Sequence, residues 1–198
     1  MRTSRRIERT VQKPASMCKI PHDAIIVSER LELREPSLDD AATMFEYLSP
    51  EVTRSLHFFS PQSVDEQRKS VRNIRSENRK GRTFTAGMYD RTTGKYLGGC
   101  GVVAYDEESG SAEIGYWLAV EYQGKGYATE AVRALCRHLF EECDANRAVI
   151  CNDVRNAASR SVAERAGFRL DGILRSHTPL KGDLVDTAFY TLFPGELA

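Results

Sequence analysis

From Asp23 onward, two hydrophobic periods take turns along the chain. IIVSERLELRE (25–35) alternates apolar and polar residues, the pattern of one half-buried strand. PSLDDAATMFEYLS predicts a helix with Ser37 as N-cap, Asp39 and Asp40 in the first turn, and Met44, Phe45 and Leu48 on an apolar face. After the loop LHFFSP, Ser63 opens a second helix, with Glu66 three residues on as a capping box. RTFTAGMYD and KYLGGCGVVAYD read as an antiparallel pair around Arg91–Gly94, and SAEIGYWLAV (111–120) as a further long strand. The next helix places Ala128, Ala131, Val132, Leu135 and Leu139 on one face. RAVICNDV reads as a buried strand, NAASRSVAERAG as a short helix ended by Gly167, and FRLDGILR and VDTAFYTLF as two closing strands. The sum is one α/β domain with a mixed sheet.

Composition narrows the class. At 198 residues the chain suits one domain with a sizeable core. Its 28 basic and 28 acidic residues cancel, so no global field points to nucleic acid or to a membrane surface. No run approaches the ~20 apolar residues of a membrane span. Cys18, Cys100, Cys136, Cys143 and Cys151 lack metal-ligand spacing and read as buried hydrophobes of a reducing compartment, the cytoplasm. Residues 1–22 are basic, with Arg2, Arg5, Arg6, Arg9, Lys13 and Lys19 against Glu8 alone; they read as a disordered tail or start-site extension, with an organellar transit peptide as the alternative, and 23–198 as the domain.

The chemistry concentrates in EYQGKGYATEA (121–131), where a strand feeds a glycine-bearing turn that opens a helix. The first N–H groups of a helix lack partners and favour an anion. Gly124 and Gly126 permit positive φ and close approach, and Lys125 adds a charge. The spacing fits neither GxxxxGK[ST] nor GxGxxG. On these residues alone a phosphate site and a tight strand–helix corner both stay open.

The wider pattern resembles the GNAT superfamily of acetyl-CoA-dependent N-acetyltransferases. Gln123-Gly124-Lys125-Gly126-Tyr127-Ala128 matches its Q/R-x-x-G-x-G/A motif. Asn156-x-x-Ser159 with Glu164–Phe168, the opening RLELREPSLDDA and the ending GILRSHTPLKGDLVDTAFYTL resemble the RimJ/RimL branch, over about residues 25–193. The resemblance implies a mixed, mostly antiparallel sheet of six to seven strands with about four helices and a parallel pair that splays. It implies that the pantetheine arm of acetyl-CoA pairs with the strand edge at Leu118, Ala119 and Val120, that the diphosphate meets residues 123–128, and that Asn156 and Ser159 hold the other side.

It also implies direct transfer of the acetyl group to an amine, without an enzyme nucleophile. The backbone N–H near Leu118 would polarise the thioester carbonyl. Glu113 matches the position of the catalytic base in histone-type members, with Tyr116 and Trp117 beside it to desolvate it. Ser159 stands as proton donor, since the family's tyrosine position is Ala163 here. His177 and Thr178 stand where relatives offer a glutamate. The acceptor pocket would draw on His57, Phe58, Phe59, Tyr116 and His177. The stripe Arg68, Arg72, Arg75, Arg79 and Arg82 reads as a solvated face, or as a surface for an acidic partner. The acceptor would be a protein N-terminus or a small amine, and the enzyme a monomer or homodimer. The departures from the motif keep a catalytically weak acyl-CoA-binding module as the alternative, and the turn by itself also allows a nucleotide-binding domain.

Overall fold

The computed structural model describes residues 20–81 and 83–197, so the tail reading for residues 1–19, Cys18 and Arg82 lie outside the described residues. Ile20, assigned to the tail by sequence, is buried in the main core. The described residues form one eight-stranded sheet with five helices. The strands are β1 (Ile26–Val27), β2 (Leu31–Arg34), β3 (Phe84–Asp90), β4 (Tyr96–Asp106), β5 (Ser111–Leu118), β6 (Arg147–Asp153), β7 (Arg169–Leu180) and β8 (Asp183–Leu192), in the spatial order 1-2-3-4-5-6-8-7. The helices are α1 (Ala41–Tyr47), α2 (Pro50–Thr53), α3 (Val64–Lys80), α4 (Tyr127–Glu142) and α5 (Ala157–Ala166). All pairings are antiparallel except β5 with β6. The mixed, mostly antiparallel sheet with one parallel pair is therefore as expected, with one strand and one helix more.

Both additions have local causes. The segment read as one strand breaks at Ser28–Arg30 into the hairpin β1–β2, with Ile26 opposite Leu33. Ser28 makes the turn: its N–H donates to the Leu31 carbonyl at 2.9 Å and its hydroxyl accepts from Leu31 N–H at 3.2 Å. The added helix, α2, is a single turn capped by Ser49, which accepts from Val52 N–H. Ser37 is not the cap of α1, which opens at Ala41. The Asp40 carboxylate instead accepts from the Ser37 N–H, the Ser37 hydroxyl and Tyr89 Oη. Ser63 does cap α3, accepting from Glu66 N–H at 3.1 Å, while Glu66 reaches back to Gln62 N–H. The last two strands form one long hairpin that turns at Lys181-Gly182, both with positive φ.

Two layers of helix cover the sheet. Helices α1 and α3 lie on one face, the front, where Ala41, Met44, Val71, Tyr89 and Tyr96 form a small core with Trp117 beside it. Helices α4 and α5 lie on the back, over the main core of Ala112, Ile114, Leu118, Ala131, Leu135, Ala148 and Ile150. The predicted face of α4 is the buried one. Of the arginine stripe, Arg75 is structural, since it donates to the Pro36 carbonyl and pairs with Glu35.

One glycine fixes how closely β4 can hold the end of β5. A Cβ on Gly98 would stand 2.2 Å from the Trp117 carbonyl oxygen and 2.9 Å from Leu118 Cα, both backbone atoms. Gly98→Ala is therefore expected to force β4 and β5 apart and to lower stability by about 3 kcal/mol, roughly 6–12 °C in Tm. Thermal unfolding followed by circular dichroism checks this.

Candidate active site

The site begins where the parallel pair ends. β5 and β6 are in register at Ser111–Arg147, Ala112–Ala148 and Glu113–Val149, and the ladder then stops although both strands continue. On its other side β5 stays paired to β4, and Ala119 N–H donates to the Leu97 carbonyl at 3.0 Å. Antiparallel ladders alternate, so that bond turns the backbone N–H and C=O of Tyr116 and Leu118 away from β4, toward the divergence. The edge expected to receive an extended arm is thus open at the Leu118 N–H. Ala119 N–H is committed to β4, and Val120 lies beyond the strand in a 3-10 turn (Val120–Tyr122).

The turn that follows is built for an anion. Gln123 folds back so that its Nε2 donates to the Leu118 carbonyl at 3.0 Å, fastening the turn to the strand end. Gly124 and Gly126 take φ of 73° and 82°, and a Cβ on Gly124 would meet nothing within 4 Å. Gly126 is the N-cap of α4 and offers no side chain to the helix. The first backbone bond closing α4 is Glu130 N–H to the Gly126 carbonyl. The N–H groups of Tyr127, Ala128 and Thr129 therefore have no helical acceptor. Bare amides, aligned dipoles, the exposed Lys125 and open space above Gly124 fit a diphosphate.

Across the divergence, Asn156 caps α5 by accepting from Ser159 N–H at 3.1 Å. The Tyr116 hydroxyl, coming from β5, lies 2.9 Å from both the Ser159 carbonyl oxygen and Ser159 Oγ. Burial pushes the Tyr116 phenol up to about 12, so it stays protonated at neutral pH. Continuing the β5–β6 register sets Asn152 level with Tyr116, and it is a residue that the sequence reading did not single out. Its side chain is buried, and neither polar atom of its amide has a partner among the described residues. An unpaired buried amide in a strand is costly, and its place beside the divergence marks that spot as polar by design of the sequence. The only hint in the sequence was a polar residue in an apolar run.

The front face carries the other predicted residues. Strand alternation puts Glu113 on the face of Trp117, whereas Tyr116 packs against the back core, so the two lie on opposite faces of β5. Glu113 lines an open cavity of about 250 Å³ together with Asp106, Arg147, Cys151, Asp171 and Phe189. Three carboxylates against one guanidinium favour a cation there. Burial, and then the charge of Glu113, push the Cys151 thiol up to about 12; a thiol so raised stays protonated and is no nucleophile.

His177 stacks edge-on against Phe189, a residue of the cavity lining, with ring centroids 5.1 Å apart, but does not itself line the cavity. His57, Phe58 and Phe59 are exposed, and none of them is a core aromatic. Their loop is fastened to the β7–β8 hairpin by Lys181, whose Nζ donates to the Thr53 carbonyl at 2.6 Å and lies 5.0 Å from the Phe59 ring centroid.

The described geometry and the comparisons agree. Residues 30–169 match the acetyltransferase (GNAT) domain model, and the chain belongs to that family, in its RimJ/RimL-like branch. It is 32% identical over 174 residues to the N-acetyltransferase p20 of Bacillus licheniformis, covering 87% of this chain and 98% of that one. A ribosomal-protein-serine acetyltransferase structure from Vibrio cholerae superposes with a TM-score of 0.80 at 25% identity, over 88% of this chain and all (100%) of that one. RimL, a ribosomal L7/L12 alpha-N-protein acetyltransferase solved with coenzyme A, superposes with a TM-score of 0.76 at 28% identity, over 86% and 98%. The protein is an acetyltransferase that uses acetyl-CoA.

Gly126→Ala tests the turn. A residue with a Cβ at φ 82° is strained, so stability is expected to fall by about 1–2 kcal/mol. Coenzyme A affinity measured by calorimetry is expected to fall at least tenfold, out of proportion to that loss.

Proposed function

We propose that the protein transfers the acetyl group of acetyl-CoA directly to a primary amine, a peptide N-terminus or a small-molecule amine, in the cytoplasm. The observation that supports this best is the presence of two sites on opposite faces of β5 and β6. On the back, bare amides at Gly126–Thr129 suit a diphosphate; on the front, over the last paired rungs before the divergence, an open, carboxylate-lined cavity suits an ammonium.

The residues then divide the work. The coenzyme supplies an activated acetyl thioester when bound. Residues 124–128 hold its diphosphate, and the edge at Tyr116 and Leu118 pairs with an extended arm as a surrogate strand. The Leu118 N–H, facing the divergence, is set to donate to a developing oxyanion. Asp106, Glu113 and Asp171 draw the ammonium form of the acceptor to the front, and Glu113 takes its proton so that the lone pair is free. An α-amino group has an ordinary pKa near ~8 and needs little help; a lysine side chain needs more. On the back, the Ser159 hydroxyl passes a proton to the departing thiolate and is reloaded through the Tyr116 phenol 2.9 Å away, which regains its own proton from solvent once coenzyme A leaves. Direct transfer asks for no acyl-enzyme, and the Cys151 thiol, pushed up by burial and by Glu113, is given no role. Holding both partners in one complex provides much of the rate.

The ring of His177, stacked on the cavity residue Phe189, would meet the acceptor's side chains; the exposed Phe59 stands by Lys181 at the hairpin tip and is left out of the pocket. Glu113→Gln is expected to lower kcat about 10²-fold near neutral pH and much less at alkaline pH, where the amine is already neutral. Steady-state thiol release with a panel of N-terminal peptides and small amines, from pH 6 to 9.5, measures this. Parallel wild-type and variant profiles would remove Glu113 from the reaction.

A further inference from the structure

Beside the phosphate turn stands a carboxylate. Glu130 occupies the first turn of α4, where it suits the helix dipole but would repel a bound phosphate. The structure neutralises it with one residue from the β1–β2 turn. Arg30 Nε donates to Glu130 Oε2 at 2.7 Å, and Arg30 backbone N–H donates to Oε1 at 2.7 Å. The Ser28 hydroxyl adds a third bond to Oε1 at 2.7 Å. Partial burial pushes the Glu130 carboxyl up, but these donors and the guanidinium charge outweigh it and hold the group below the ordinary carboxylate range.

The rest of the guanidinium is aimed at the turn. Arg30 Nη1 donates to the Lys125 carbonyl at 3.1 Å, and the group lies 4.4 Å above the centre of the Tyr127 ring. Nη2 lies 3.4 Å from where a Cβ on Gly126 would sit, and makes no hydrogen bond among the described residues. The side chain is 43% exposed. A guanidinium locked by Nε and Nη1, with Nη2 unpaired at the rim of bare helix amides, has the arrangement of a phosphate ligand.

We propose that Arg30 is a ligand of a phosphate group of the coenzyme, through Nη2, and that Glu130 is the positioning residue that orients it. This rests on the acetyl-CoA reading of the turn. The nearness of Nη2 to Gly126 favours the diphosphate over the 3′-phosphate. Lys125, flexible and exposed, then supplies charge, while Arg30 supplies a fixed fork.

The test is calorimetric titration of the full-length protein with coenzyme A and with dephospho-coenzyme A, at several salt concentrations. Arg30→Met is expected to weaken coenzyme A binding about tenfold or more and to flatten its salt dependence. An equal loss with dephospho-coenzyme A assigns the diphosphate; a loss confined to coenzyme A assigns the 3′-phosphate. Glu130→Gln is expected to cost a few-fold in affinity while the salt dependence stays. If Arg30→Met does not fold, Arg30→Gln, which keeps a donor for Glu130, takes its place with the same expectation. Affinity within twofold of wild type would overturn the proposal, as would a loss with unchanged salt dependence, the mark of a structural tie alone. Failure of the wild-type protein to bind coenzyme A would instead overturn the reading on which the proposal rests.

Discussion

Parallel pairing between β5 and β6 stops at Glu113 and Val149, and the remaining architecture serves that interruption. Two strands that continue without each other leave backbone donors and acceptors exposed in the middle of a sheet, which a folded protein tolerates only where something else pairs with them. β4 cannot do so, because it is committed to the other edge of β5 through Ala119 and its neighbours. The long β6–β8 pairing keeps β6 from swinging back. The opening is therefore held from both sides, and an extended amide-bearing arm is the natural complement.

The same opening separates two chemistries. Alternation along β5 sends Glu113 to the front and Tyr116 to the back, three residues away along the strand. A carboxylate facing an acidic, open cavity and a phenol–hydroxyl couple on the helix-covered back are thus kept apart by the strand itself. In the proposed reaction, proton removal and proton delivery then need no shared group. That arrangement also explains why Cys151, which sits in the front cavity, can be chemically silent: burial and Glu113 both keep its thiol protonated.

Much of this was legible in the sequence, and the exceptions are instructive. The period of α4 and the N-cap of α3 at Ser63 are local signals, and local geometry obeys them. Gly124 and Gly126 both take the positive φ that a strand–helix turn of this kind demands. The β1–β2 break had only the three polar residues Ser28-Glu29-Arg30 to mark it, without the glycine, proline or asparagine that usually signals a turn. What bends the chain there is Ser28 bonding to Leu31, held from across the fold by Glu130, 102 residues away. Ser37 was misread as a cap because Asp40, three residues on, takes the Ser37 hydroxyl and N–H as donors and is backed by Tyr89 from a distant strand. The exposure of Phe58 and Phe59, and the partner of Glu130, depend on contacts between segments far apart in sequence. No window of neighbouring residues contains them.

Coenzyme binding depends on amides that are bare at the mouth of α4 and at the end of β5. Backbone NMR of the ¹⁵N-labelled protein titrated with coenzyme A reads those groups directly. The largest amide shifts are expected at Gly124–Thr129 and at Tyr116 and Leu118, with slowed hydrogen exchange at the same positions. Saturable coenzyme binding that leaves those amides unmoved, with shifts clustered elsewhere on the sheet, would contradict it.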